Sequence, residues 1–306
     1  MLITYQQFHL VFQRYLSGID SNELNNRISA FRNLIYTDLS EKEINDKIYG
    51  ILKVNINGSQ KIHLMSDSFI YPKGTLFYRV RDLENNENKI ISIPLKTITI
   101  EKDVWNPPVG CKMQRFNNNK ESVLYTTPED ESIPIKEKKI PDDDNFILIK
   151  YEAKIEIKVT PIGLNPTILG LTVEEKHKLQ SINNFLNDMV TLDVCSGAEY
   201  LYKVSNVISK HYFGASPEYS DGWCYPSLKD RSKSNVCFHD QDIKEKLNFK
   251  YFIVCSKENT KKGIIIKNKY VSILESDIFK YYKVGSDEQK RLFPELKEIN
   301  NIRLIK

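Results

Sequence analysis

The succession of hydrophobic periods along this chain predicts an α/β protein of the α+β type, with helices gathered into two stretches and strands into two others. Three observations carry that prediction. Apolar residues recur at intervals of three and four through residues 3–52. The period then falls to two between about Ile62 and Val159. A pair of amphipathic segments between Thr172 and Ile208 separates these strands from a β-rich tail that begins near Phe249.

The first stretch divides into three helices. Ile3, Phe8, Val11, Phe12, Tyr15 and Leu16 recur at mostly helical spacing, and Gly18 stops the run. Leu24, Ile28, Phe31 and Ile35 repeat at four, three and four. Ser40 with Glu43 makes a capping-box pattern ahead of Ile44, Ile48 and Leu52. This periodicity differs from that of the strand-rich region, so residues 1–58 read as a helical N-terminal extension that either covers the main domain or offers a partner surface.

In the strand-rich region, GTLFYRVR (74–81) alternates Leu76, Tyr78 and Val80 with Phe77, Arg79 and Arg81. An arginine in a strand is costly to bury without a partner. Arg79 and Arg81 are therefore expected to face solvent, or Arg79 to meet an anion. Glu84 to Asn88 reads as a turn and Lys89 to Leu95 as a returning strand. After the charged connector Lys136 to Asn145, the segment from Asn145 to Val159 reads as one long strand or two short ones. Pro161, Gly163 and Pro166 break it.

The densest signal lies between these runs, from Asn106 to Glu137: NPPVGCKMQRFNNNKESVLYTTPEDESIPIKE. Asn106, Pro107 and Pro108 cannot be helical. Gln114, Arg115 and Phe116 lead into a polar turn at Asn117, Asn118 and Asn119. Ser122 to Thr126 reads as a short buried strand ending in Tyr125, and Glu137 comes twelve residues later. A guanidinium, a phenol and a carboxylate are thus supplied by a turn, a strand and the segment after it, which is how a pocket for an anionic ligand is assembled. Taken alone, Tyr125 equally fits a core tyrosine with a satisfied hydroxyl. Glu137 equally fits a solvated charge among Lys136, Lys138 and Lys139.

Thr172 with Glu175 is a second capping box, ahead of Leu179, Ile182, Phe185, Leu186 and Met189. Ser196 with Glu199 opens the next helix, with Leu201, Val204, Val207 and Ile208 on its face. Asp221-Gly222 is a turn, Trp223 to Tyr225 a short strand ended by Pro226-Ser227, and Asn235 to His239 another strand. Ser227 at a strand mouth is either a ligand-contacting hydroxyl or an ordinary turn serine. In the tail, Lys257, Lys261 and Lys262 read as a solvated loop.

Composition excludes several classes. Lys and Arg number 44 against 40 Asp and Glu, a formal charge of +4, too mild over 306 residues to argue for direct nucleic-acid binding. The five cysteines are widely spaced without CxxC, which reads as reduced thiols in a cytosolic protein rather than a disulfide framework or a zinc site. No apolar run approaches the roughly 20 residues of a membrane span. The N-terminus lacks the pattern of a secretory signal. The chain is therefore expected to be soluble and cytoplasmic. Nucleotide loops of the GxxxxGK[ST] and GxGxxG kinds, a GxSxG elbow and HExxH are all absent from the sequence, and the scattered histidines give no metal-ligand spacing.

Three of these segments occur in an order that resembles the RES-domain family, named for its Arg, Glu and Ser. They are FYRVR (77–81), NPP…QRFNNNKESVLYTTPED…E (106–137) and DGWCYPS…SNVCFH (221–239). Together they form a motif-matched core over about residues 75–240 of a catalytic domain at 59–306, with the β-rich part at 249–306. The resemblance implies an α/β fold distantly similar to ADP-ribosyltransferase toxins. It also implies an NAD+-consuming toxin that cleaves the nicotinamide–ribose bond by hydrolysis or phosphorolysis and arrests growth, held in check by a cognate antitoxin or immunity protein. NAD+ would be the substrate, with no further cofactor, metal or membrane involved; self-association is left open. Residue by residue, Arg79 matches the early arginine, Arg115 the turn arginine, Tyr125 the strand tyrosine, Glu137 the glutamate and Ser227 the late serine. The chain departs from the pattern at Gln114, where many members have Gly, and at Pro134 before the glutamate. Glu131 remains a rival for the carboxylate.

Nicotinamide is already a cationic leaving group, and the transition state at the ribose is oxocarbenium-like. The implied roles derive from that chemistry. Arg79 and Arg115 would pair with the pyrophosphate, Glu137 would stabilise the developing positive charge, Tyr125 would bound the nicotinamide ribose, and Ser227 would hydrogen-bond nearby. Two other readings use the same residues: a protein ADP-ribosyltransferase with this pocket, and a non-catalytic binding module whose pocket has decayed.

Overall fold

A computed structural model of the chain describes residues 5–64, 68–107, 110, 113–118, 120–165, 168–195, 197–214, 220–239, 243–294 and 302–305, and the side chains of all of these but 5–8 and 302–303. The expectations for Ile3, Phe8, Pro108, Cys111, Asn119, Pro166 and Ser196 lie outside the described residues or side chains. In chain order the elements are α1 (Tyr5–Ser17), α2 (Ser21–Arg32), α3 (Glu41–Leu52), β1 (Val54–Ile56), β2 (Ser59–Lys61), β3 (Phe69–Tyr71), β4 (Leu76–Asp82), β5 (Leu124–Pro128), α4 (Ser132–Glu137), β6 (Asn145–Ala153), β7 (Ile157–Pro161), α5 (Val173–Val190), α6 (Tyr202–Tyr212), β8 (Gly222–Pro226), β9 (Ser234–Phe238), α7 (Ile243–Lys246), β10 (Leu247–Thr260), β11 (Gly263–Glu275), β12 (Ile278–Lys283), α8 (Asp287–Leu292) and β13 (Ile302–Ile305). The protein is mixed α/β. Among the described residues no helix is long and apolar enough to cross a membrane.

The chain divides into two compact units that alternate along the sequence. The first comprises Met1–Phe69, Val109–Glu121 and Lys158–Leu228, and the second Ile70–Pro108, Ser122–Ile157 and Lys229–Lys306. The stretch read as the N-terminal extension, residues 1–58, falls within the first unit together with later segments of the chain. The N-terminal helices share a core with α5 and α6. Phe31 meets the Phe185 ring edge-on at 5.4 Å, Tyr15 donates its hydroxyl to the Leu52 carbonyl at 2.7 Å, and Tyr212 donates to the Asn45 carbonyl at 3.1 Å.

Both capping boxes form as their sequences predict, at Ser40/Glu43 and Thr172/Glu175. Ile35, by contrast, lies beyond the end of α2 and is 75% exposed. Val11 also points to solvent. Between α3 and β3 the alternation begins earlier than expected, because Asn57-Gly58 turns β1 into β2. Both residues have positive φ (52° and 79°), the conformation a two-residue hairpin turn needs.

In the second unit the strands run β12-β11-β10-β6-β4-β5-β9, with β13 beside β11. The registered pairs among them are all antiparallel. The segment from Lys89 to Leu95, expected as a returning strand, is irregular. Both edges of β4 are taken, by β5 and β6. The Glu87 carboxylate instead ties the segment back through the Lys96 and Thr97 backbone N–H groups and the Thr97 hydroxyl. Asn145 to Val159 forms two strands, β6 and β7. Lys257, expected in a solvated loop, lies in β10 and is 7% exposed.

Register fixes the two faces of this sheet. Tyr78 pairs with Thr127 and with Lys150, Tyr251 with Lys150, and Tyr125 with Cys237. Because side chains alternate along a strand, Tyr78, Lys150, Tyr251, Thr127, Tyr125, Cys237 and Asn235 share one face. Phe77, Arg79, Arg81, Ile149 and Tyr151 share the other. On the Tyr78 face, Ile135 of α4 packs into an apolar cluster with Tyr78, Phe146, Leu148, Tyr251 and Ile253.

Candidate functional site

In the first unit the QRFN motif folds as a tight turn. Gln114 and Asn117 bridge each other, and the Gln114 N–H reaches the Asn117 carbonyl at 3.0 Å. Phe116, fully buried, anchors the turn against β8, 5.6 Å from the Trp223 ring and 4.8 Å from that of Tyr225. Trp223 and Tyr225 are two residues apart in a strand and so face the same way. Helix α6 clamps the turn from its other side. Ser205 donates to the Arg115 carbonyl at 2.6 Å, and the Asn206 amide donates to the Gln114 carbonyl at 2.8 Å. Neither α6 residue is singled out by the sequence pattern, because a mid-helix Ser-Asn pair resembles ordinary polar surface until its carbonyl partners are known.

The turn delivers Arg115 into a buried position. Its side chain lies 5.5 Å from the Tyr225 ring and 5.9 Å from the Tyr202 ring, and one terminal nitrogen donates to the Leu192 carbonyl at 3.0 Å. The residue is 8% exposed, its Nε has no partner, and it pairs with no carboxylate among the described residues. Desolvating a guanidinium costs several kcal/mol unless it is matched. Two tyrosine faces and one carbonyl offset part of that and leave donors for an anion. Ser227, directly after β8, is fully buried in the same unit.

In the second unit the carboxylate and the phenol lie on one sheet face. Tyr125 is the second residue of β5, near its start rather than its end, and is half-buried. Helix α4 begins where Asp130 accepts from the Ser132 backbone N–H at 3.0 Å and from its hydroxyl at 2.7 Å. Burial pushes the Asp130 carboxyl up, but the Ser132 and Lys233 bonds outweigh it and hold the group below its ordinary value. Pro134 is the third residue of α4, in the first turn, where its missing N–H has no helical partner to lose. The helix therefore forms despite Pro134 and ends at Glu137.

The Glu137 carboxylate meets the Asn235 side-chain amide of β9, with Nδ2 at 2.9 Å from one oxygen and 3.0 Å from the other. Asn235 Oδ1 in turn accepts from the Thr127 hydroxyl at 2.6 Å. Glu131 stands at the N-terminal boundary of α4, one and a half turns away from this contact.

Arg79 does not join this group. It lies on the opposite face of the β4–β5 ladder from Tyr125 and Thr127, where it donates to the Trp105 carbonyl. Arg81 does the same to the Asp103 carbonyl. Both arginines are half-buried, and the turn at Glu101–Val104 and the residue after it supply a carbonyl acceptor to each. Burial first, then the neighbouring Arg79 charge, pushes the Arg81 guanidinium below its ordinary value, while Asp103 opposes. Tyr151, on the same face, donates to the Val104 carbonyl, and burial pushes its phenol up.

Among the described residues no group of three or more His, Cys, Asp or Glu side chains could hold a metal ion. No family model, curated protein or solved structure matches the chain.

Proposed function

We propose that this chain cleaves the nicotinamide–ribose bond of NAD+, by hydrolysis or phosphorolysis, as the toxins of the RES-domain family do. The observation that carries the reading is Arg115: a buried guanidinium, gripped by aromatic rings, lacks a counter-charge among the described residues and offers donors to an anion. A dinucleotide pyrophosphate has the planar oxygen pairs that such a fork recognises. Glu137 supports the same reading, as a half-buried carboxylate on the face that also carries Tyr125.

In the proposed reaction the bond between the ribose C1″ and the pyridinium nitrogen breaks, and its electron pair leaves with neutral nicotinamide. Glu137 stabilises the oxocarbenium ion so formed. The oxygen of water, or of inorganic phosphate, bonds to C1″ and gives ADP-ribose or its 1″-phosphate, with the displaced proton passing to solvent. No general acid is needed, since the leaving group departs uncharged. A cognate antitoxin would hold the activity in check, and expression without it would deplete cellular NAD+ and arrest growth.

The test is incubation of the purified chain with NAD+, with and without phosphate, following free nicotinamide. Nicotinamide equimolar with ADP-ribose or its phosphate is expected. Nicotinamide with ADP-ribosyl-protein instead would establish the transferase alternative. No release at millimolar NAD+ would overturn the reading in favour of the non-catalytic module, which one observation favours: Arg79, matched to the early arginine of the family, faces away from Tyr125 and bonds backbone.

A further inference from the structure

We infer that Asn235 is the positioning residue for the Glu137 carboxylate and that Thr127 locks it in that role. The inference rests on the proposed function for its kinetic arm, but its geometry stands alone. Asn235 has one acceptor and two donors at its side-chain end. Its two partners require opposite halves. The carboxylate oxygens, at 2.9 and 3.0 Å, can only accept, so Nδ2 must face them. The oxygen 2.6 Å from the Thr127 hydroxyl is then Oδ1, and the hydroxyl must donate. A flipped amide would set Oδ1 against two carboxylate oxygens. The chemistry of the two partners therefore fixes the amide orientation.

The three groups come from β5, β9 and the end of α4. Thr127 is 2% and Asn235 3% exposed, while Glu137 is half-buried. The lock is thus dry and the carboxylate reaches the accessible side. Ile133 and Ile135 already bury the apolar side of α4. A negative charge at the last residue of a helix sits beside the terminal carbonyls, where the backbone field disfavours it. Burying an amide and a hydroxyl to hold that charge in one rotamer is what a site needs when a carboxylate must stay aligned during reaction.

Steady-state nicotinamide release from Asn235→Ala, Thr127→Val and Thr127→Ser, with melting temperatures, tests the role. Asn235→Ala is expected to lower kcat by about 10- to 100-fold, the usual range for removing a group that orients a reactive one, with KM for NAD+ within about twofold. Thr127→Val should show a smaller loss of the same kind, and Thr127→Ser, which keeps the hydroxyl, should restore most of it. Lower melting temperatures with unchanged kcat would overturn the inference. An activity-independent arm separates its failure from that of the NAD+ reading. In ¹⁵N-asparagine-labelled protein, the Asn235 side-chain amide resonances should move in Glu137→Gln and in Thr127→Val but stay in place in Glu131→Gln. If wild type releases no nicotinamide and these shifts appear, the NAD+ reading falls and the positioning role stands. If the resonances ignore Glu137→Gln, the role falls whatever the activity.

Discussion

At Glu137 the charge matters mainly when positive charge develops on the ribose. Glu137→Gln keeps the shape and a hydrogen-bonding end, so turnover should fall by about 10²-fold or more while NAD+ affinity, measured by calorimetry, changes little. Glu131→Gln, at the far end of α4, should match wild type. If it abolishes turnover while Glu137→Gln does not, the carboxylate assignment is wrong. Arg115→Ala should weaken NAD+ binding, and Arg115→Lys should fail to rescue it, because an ammonium keeps the charge but neither stacks between Tyr202 and Tyr225 nor presents a fork. Arg79 should behave differently. Its partner is the Trp105 carbonyl, so Arg79→Ala should lower the melting temperature and leave NAD+ affinity intact. A drop in affinity at unchanged stability would instead make Arg79 a ligand residue.

The elements tell how far the sequence could be read. Helix α5 is an instance where local chemistry sufficed. Its Glu175 carboxyl is held below its ordinary value first by the Thr172 backbone N–H, then, against the opposing effect of burial, by the Ser17 and Thr172 hydroxyls. A lowered native pKa means that this stabilisation is present above the unfolded value of about 4.3 and is lost as pH falls through the native one. Glu175→Gln should therefore lower stability at pH 7, where the charged carboxylate is the favoured partner, and its urea midpoint should approach that of wild type as pH falls below the unfolded value. A constant difference across that range would contradict the capping account. The Tyr78/Arg79 alternation was legible for the same reason, since a strand's period is local. What the sequence could not show was which face of β4 would meet Tyr125, because that depends on pairing register with a strand more than forty residues away. Asn235 and Thr127 stayed hidden likewise: each is an unremarkable strand residue until the other lies opposite. Pro134 misleads in the other direction. Although it departs from the family pattern, it falls in the first turn of α4, and Pro134→Ala should shift stability by no more than about 0.5 kcal/mol in either direction.

For the whole molecule, the packing of α1–α3 against α5 and α6 changes what a truncation should do. Residues 59–306 alone would lose the Phe31–Phe185 contact, the Ser17 bond to Glu175 and the Arg32–Asp188 pair. That fragment should be aggregated or partly unfolded by circular dichroism and protease resistance; a soluble, cooperatively melting fragment would show the helices to be a dispensable cover. The sheet of the second unit has a different consequence, one of timing. Strand β6 ends at Ala153 and its partner β10 begins at Leu247. At roughly 5–20 residues per second of synthesis, β6 waits on the order of 5–20 s at the ribosome with one edge bare. That strand carries the apolar run Phe146 to Ile149, a sticky template for other nascent chains. The speed at which this protein is translated, and the chaperones that reach it meanwhile, should therefore govern how much of it survives to act.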